Sequence, residues 1–358
     1  MCTRVTYMDE DKAYTARNFD WSDWSEAGLW VYPSGIVRNA AAGSQPMSWK
    51  SRYKSVATSS YNGATPDGLN EKGLAANLLW LAPTKYPALG SDKRRKPICV
   101  SIWAQYILDM CKDVPGAIEA MNSVYVVSAK VPGTSDPVEC HLSVSDREGN
   151  SAIFEYVNAQ LVIYTNVDYV NADGVIVKGT YTKQQLRVMT NQPTFNEQLK
   201  LNAEWEKVNQ TEILPGTCSP VDRFVRATYY TKLLPLSTPA KKLVPTEALS
   251  HLVSVLRNTV EPFEITVNPD EVPSPTQYTT MCDHTKGIYY FNQAKNPLMS
   301  WVDLNDFEFS KITAGSNRAF SLSFKDGGAL LADGSLGGGK LNAGNFQKER
   351  AFDFVPHA

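Results

Sequence analysis

The sequence opens MCTRVTYMDEDKAYTARNFDW, and the cysteine behind the initiator methionine is the first residue placed to do chemistry. Removal of Met1 would leave Cys2 with a thiol and a free α-amine on one residue. Ordinary values are about 7.7–8.0 for the amine and about 8.5 for the thiol, so the neutral amine can take the thiol proton near physiological pH. That pairing is an established way to activate a nucleophile without histidine. Arg17 would favour the attacking thiolate, and Asp20 would accept a hydrogen bond from the α-amine and hold it. The two stand three apart on an expected strand, which turns them to opposite faces unless the strand bends at Asn18–Phe19 or ends there.

Other cysteines read differently. Cys99, Cys111 and Cys140 fit buried small hydrophobes. The six cysteines form no CxxC pair, and the four histidines form no HExxH helix. Neither a metal site nor a disulfide framework is expected, and no cofactor is called for. GSLGGGKL contains Gly334, Gly339 and Lys340 at phosphate-loop spacing, but Leu341 stands where a Ser or Thr must reach magnesium. A flexible surface loop is the expectation there.

These residues must be carried by a scaffold of 358 residues with 43% hydrophobic and 20% charged residues and a net charge of -2. Such a composition builds a sizeable core and gives no electrostatic case for nucleic acid or acidic membranes. No apolar run approaches the roughly 20 residues of a membrane span. Asp9, Glu10 and Asp11 stand where a signal peptide would put its apolar core, leaving bacterial cytoplasm or periplasm as the expected compartment.

RVTYM, AYTARNF, LWVY, RYKSVATSS and GLAANLLW predict strands. YNGATPDGLNEKG predicts a loop, and PICVSIWAQYILDMC a helix beginning at Pro97. DVPGAIEAMNS follows as a shorter helix. VYVVSAKV, ECHLSVSD, SAIFEYV and QLVIYTN are strands, with tight turns at DREGN and VNAQ. TFNEQLKLNAEWEKV, PVDRFVRATYYTKLL and TEALSHLVSVLRN form a helical block, the last opened by a threonine cap. QYTTMCDHTKGIYYFNQAKNPLMSWVDL closes with paired strands. Blocks of strands and helices argue for α+β rather than alternating βαβ units, and no linker divides residues 1–358, so one domain is expected.

CTRVTY followed by ARNFDW resembles the opening of the choloylglycine hydrolase family, which holds bile salt hydrolases and penicillin V acylases. DGLNEKGLAANLLW, CHLSVSDREGNSAIFEYV, VMTNQPTF and LPGTCSPVDRFVRA resemble its later segments in order. The resemblance implies a four-layer αββα sandwich of the N-terminal nucleophile type, and an amidase acting on a small-molecule amide. It implies Cys2 as nucleophile, Arg17 and Asp20 beside it, Asn191 in the oxyanion hole and Arg223 completing the charged network. Where many bile salt hydrolases carry a second oxyanion asparagine, this chain has Trp80, whose backbone N–H is expected to serve, with Asn77 a weaker candidate. Trp21 and Trp80 resemble the acyl-pocket tryptophans of the family's Gram-negative penicillin V acylases, and Trp24 lies near them. An aromatic slot suits phenoxyacetyl or fatty acyl groups, including those of N-acyl homoserine lactones, better than a steroid. The family also implies a homo-oligomer, although a short interval between Asn191 and Arg223 puts the usual homotetramer in question. A bile salt hydrolase and an inactive aromatic binding protein on the same scaffold are the rival readings.

Overall fold

The computed structural model of the chain describes residues 2–23, 27–209, 213–263, 274–309, 317–323 and 338–357. Trp24 lies outside them.

Among these residues two large β-sheets face each other. The first has seven strands, in the order Val188–Met189, Cys2–Asp9, Lys12–Asp20, Thr276–Asp283, Ile288–Gln293, Ser300–Asp303 and Gly339–Leu341. The second has nine, in the order Gln160–Thr165, Ser151–Val157, Cys140–Ser145, Ala75–Trp80, Asp67–Asn70, Ser55–Ser59, Gly28–Tyr32, Arg318–Ser323 and Gln347–Arg350. Val5 and Tyr278 from the first sheet share a fully buried cluster with Leu29, Val56, Leu79 and Ile153 from the second. Burial of each such side chain contributes about 1.5–3 kcal/mol, which makes this layer the main reason the two sheets stay together.

Helices cover both outer faces. Helices α1 (Val100–Met110) and α2 (Val114–Ala120) pack on the second sheet, where Trp103 and Ile107 join Leu78, Leu142 and Val144 in a separate cluster. Helices α3 (Phe195–Asn209), α4 (Pro220–Leu233) and α5 (Pro245–Arg257) form the opposite layer, with α4 and α5 lying on the strands that carry Cys2 and Arg17. The result is the four-layer αββα sandwich, α+β in class, that the sequence implied.

Several local expectations need correction. Lys96–Cys99 is a strand paired in parallel with Val124–Val127, and the helix starts at Val100 instead of Pro97. A short apolar run such as PICV fits either state, and the pairing decides it. Asp67–Asn70, read as loop, is an inner strand of the second sheet. Gly68 stands there because the chain packs too closely for a side chain: a Cβ would come within 2.6 Å of the Val56 carbonyl and 2.7 Å of Leu108. Helix α5 has Val244 at its cap, not Thr246, and the Val244 N–H is satisfied by Glu247 Oε2 at 3.1 Å. Gly339–Leu341 of the glycine-rich segment is an edge strand rather than loop, with Lys340 paired to Asp306 at 2.6 Å; residues 334–337 lie outside the described set. The VNAQ turn is as expected, with Asn158 and Ala159 both at positive φ (49° and 64°), the two-residue geometry that matches strand twist.

Candidate active site

Cys2 begins the first strand and pairs with Phe19 on the second; the pairing runs unbroken from there to Asp9 opposite Lys12. No bend intervenes, so side chains alternate as period two requires, and Arg17 and Asp20 face opposite sides of the sheet. The centre is therefore assembled from two directions.

From the inner side comes Arg17. Its Nη2 donates to Cys2 Sγ at 3.2 Å, while Nη1 reaches the second sheet, donating to Asp67 Oδ2 and to the Pro66 carbonyl, both at 2.9 Å. Tyr289 donates its hydroxyl to the other oxygen of Asp67. Arg17 and Asp67 are wholly buried. Burial alone would weaken the guanidinium's hold on its proton, but Cys2 and Asp67 beside it reverse the balance and strengthen that hold. The carboxyl of Asp67 is pushed upward by burial, against the pull of Arg17 and Tyr289. A permanent positive charge is thus fixed against the sulfur.

From the helical side comes Arg223, near the start of α4. Its Nη2 donates to Asn191 Oδ1 at 2.9 Å, and its Nη1 to Thr3 Oγ1 at 2.8 Å and Asp20 Oδ2 at 3.2 Å. Ser219 caps α4 by accepting from the Asp222 N–H, and this fixes the turn that bears Arg223. Thr276 donates to Asp20 Oδ1 at 2.5 Å, from a bulge in the neighbouring strand opposite Phe19 and Asp20. Burial raises the Asp20 carboxyl, and Arg223 and Thr276 oppose the rise. The backbone nitrogen of Cys2 donates to Asn191 Oδ1 at 2.5 Å, so this oxygen holds the nitrogen beside the thiol.

Asn191 has a fixed orientation because both ends of its amide are used: Nδ2 donates to the Trp80 carbonyl at 2.7 Å. Leu81 N–H bonds Glu139 on the adjacent strand, and Leu78 N–H bonds Pro66 on the other side. Alternation therefore turns the N–H and C=O of Trp80 together toward Asn191. Asn77, the weaker candidate, is buried one strand position from the cavity wall residue Leu78, its Oδ1 unpaired among the described residues.

The sulfur opens into an apolar cavity of about 720 Å³ including its solvent mouth. Trp21, Trp80, Phe19, Tyr61 and Leu78 line it with Cys2 and Arg17. The rings of Trp21 and Trp80 are 5.3 Å apart and tilted by 50°, and Tyr61 accepts the Trp21 indole N–H at 2.8 Å. An aromatic wall of this kind accommodates a flat or flexible apolar group. No group of three or more His, Cys, Asp or Glu side chains is arranged to hold a metal among the described residues.

The structure brings together Cys2, Arg17, Asp20, Asn191, Arg223, Trp21 and Trp80, all named from the sequence. Asp67, Thr276 and Tyr289 were missed. Asp67 stands inside the quoted DGLNEKG segment, yet an Asp-Gly pair reads first as a turn, and nothing local marks it as the partner of an arginine 50 positions earlier.

A cysteine at the head of an inner strand in an αββα sandwich defines an N-terminal nucleophile hydrolase scaffold. The chain belongs to the linear amide C-N hydrolases, choloylglycine hydrolase family, whose profile matches residues 2–313. It is therefore a hydrolase of carbon–nitrogen bonds in linear amides. It is 36% identical over 326 residues to a penicillin V acylase of Pectobacterium atrosepticum, covering 86% of this chain and 82% of that one. A bile salt hydrolase/transferase of Lactiplantibacillus plantarum is 26% identical over 329 residues, covering 85% and 93%. The penicillin V acylase structure from Agrobacterium tumefaciens superposes with a TM-score of 0.79 at 35% identity, over 99% of this chain and 100% of that one. A conjugated bile acid hydrolase from Clostridium perfringens, at 19% identity and a TM-score of 0.70 over 91% and 97%, shares the fold.

Proposed function

We propose that the protein is an N-terminal cysteine amidase of the penicillin V acylase type. The observation that carries the reading is a sulfur held by a buried arginine at the floor of a tryptophan-walled cavity. With Met1 removed, the Cys2 nitrogen becomes a free α-amine, and it takes the thiol proton as Sγ attacks the amide carbon. The oxyanion is stabilised by the second Nδ2 hydrogen of Asn191 and by the Trp80 N–H, with Asp20 and Arg223 as positioning residues that keep Asn191 and the amine in place. Collapse expels the amine product, protonated by the α-amine, and leaves a thioester on Cys2. Water, deprotonated by the same amine, then attacks the thioester; the acid departs and the thiol regains its proton. No cofactor enters this sequence of steps.

The acyl partner in this reading is phenoxyacetyl, as in penicillin V, or the fatty acyl group of an N-acyl homoserine lactone. The Trp21 and Trp80 rings, in contact at 5.3 Å, form one aromatic wall on which a flat or flexible acyl group packs, which favours this choice over a bulky conjugated bile acid. A homo-oligomer belongs to the same reading, and light scattering of the purified protein decides its size. The decisive experiment combines two measurements. Mass analysis of the active protein is expected to find Cys2 as first residue. Folded C2A is expected to lose turnover of penicillin V and acyl homoserine lactone, while wild type hydrolyses both faster than glycocholate. Full activity in C2A rejects the nucleophile, and a preference for glycocholate makes the protein a bile salt hydrolase.

A further inference from the structure

One wall of the cavity comes from a segment that the family profile, ending at residue 313, does not reach. After the strand Gln347–Arg350 the chain runs as a strap, residues 351–357, held by contacts to Gly63, Ser101, Ala41, Ser128 and Trp30. It is pinned by its own backbone. Val355 N–H donates to the Gly63 carbonyl at 2.8 Å, and the Val355 carbonyl accepts from Ser101 Oγ at 2.6 Å. His357 N–H donates to the Ala41 carbonyl at 2.7 Å, and its Nδ1 bonds the Ser128 carbonyl at 2.6 Å. Aromatic contacts hold the strap upstream: Phe352 meets the Trp30 ring at 5.1 Å, and Arg38 lies over Phe354 at 5.4 Å.

These anchors leave Val355 lining the same cavity as Cys2, Trp21 and Trp80, with Ala64 and Ser101 also on its wall. The fit against the facing loop is tight. A Cβ on Gly63 would come within 2.7 Å of Val355 Cγ2 but stay 3.6 Å from the Val355 backbone nitrogen, so glycine at 63 leaves room for the side chain at 355. Every hydrogen bond that fixes position 355 uses the main-chain atoms of Val355 itself, so its side chain can be varied without loss of the anchor. We infer that Val355 is a specificity-determining residue that sets how large an acyl group the cavity accepts. The inference rests on the amidase reading for its substrate class, and on the cavity geometry alone for the role of the residue.

The test uses the full-length protein with V355A and V355L, each checked for an unchanged thermal transition. Amides that share one amine and carry butanoyl, hexanoyl, octanoyl, decanoyl or phenoxyacetyl groups are compared by kcat/KM. Methylene-scale changes in an apolar pocket alter discrimination by about 10–200-fold. V355A is therefore expected to raise the decanoyl-to-hexanoyl ratio about tenfold, and V355L to lower it. In parallel, binding of the free acids to C2A and to C2A/V355A is followed by tryptophan fluorescence, which needs no turnover. A shift in acid binding without turnover of any amide by wild type would leave the cavity role standing and reject the amidase reading. Unchanged ratios and unchanged acid binding in the folded variants would overturn the role of Val355.

Discussion

Removing the anchor of Arg17 should disable the site without touching the nucleophile. The Arg17–Asp67 pair is wholly buried at 2.9 Å, a separation at which two unit charges attract by ~6 kcal/mol at an effective dielectric of about 20. Most of that offsets the cost of burying both ions, so the net worth of the pair is far smaller, but breaking it strands a charge and costs about 3–5 kcal/mol. Asp67→Ala does this directly. Asp67→Asn is gentler: its amide oxygen can still accept from Arg17, its NH2 can donate to Tyr289, and the loss is the difference between a charged hydrogen bond and a neutral one, about 1–1.5 kcal/mol. If that loss falls on the position of the guanidinium against Cys2 Sγ, kcat/KM for penicillin V drops about 5–13-fold, since about 1.4 kcal/mol is a factor of ten. The assay pairs urea unfolding at constant m with steady-state kinetics on D67N and D67A, and adds R17K/D67N to measure coupling. Wild-type kcat/KM in folded D67N would refute the argument that Asp67 positions Arg17.

Two further predictions use other parts of the molecule. Asn191→Asp keeps the shape of the side chain but sets an oxygen against the Trp80 carbonyl where Nδ2 now donates, so kcat is expected to fall about 10²–10³-fold, the loss typical of one oxyanion donor; a loss confined to KM would remove Asn191 from that role. Burial depresses His284, held between Thr15 Oγ1 and the Gly73 carbonyl at 2.7 Å each, to about 4. The unfolded chain binds its proton near 6.5 and the folded chain only near 4, so the stability from this group is complete above pH 6.5 and lost as pH falls toward 4. Up to about 3 kcal/mol is at stake. Unfolding free energies of wild type and H284Q from pH 7.5 to about 4 should converge as acid is added; parallel curves would assign the acid sensitivity elsewhere.

The parts of the site legible in the sequence are those whose chemistry is local. Cys2 announces itself because thiol and amine share one residue, and the strand holding Arg17 follows from β-branched and aromatic alternation. Even the opposition of Arg17 and Asp20 was readable from their spacing, although a bend was needed only if both had to approach from one side. The structure removes that need: Arg17 works through the inner layer and Asp20 through the helical layer. Asn191 and Arg223 had no local signal and came through family resemblance. Asp67, Thr276 and Val355 were out of reach because each depends on pairing across sheets or on a strap whose course no periodicity encodes.

This division follows from how the centre is stabilised. The guanidinium held against the sulfur takes its counter-charge from a second element, because the strand that carries Arg17 presents only Ala13, Thr15 and Phe19 beside it on that face. The counter-charge comes from the facing sheet, at a residue whose neighbour is small enough to let helix α1 close on that sheet's outer face. Asp67-Gly68 meets both demands: the carboxylate reaches Arg17, and the glycine takes the close contact with Val56 and Leu108. The dipeptide that read as a turn is thus the point where packing of the sandwich and charge balance of the nucleophile are settled by the same two residues. A substitution at Gly68 should accordingly reach the active centre through Asp67, although it touches no substrate.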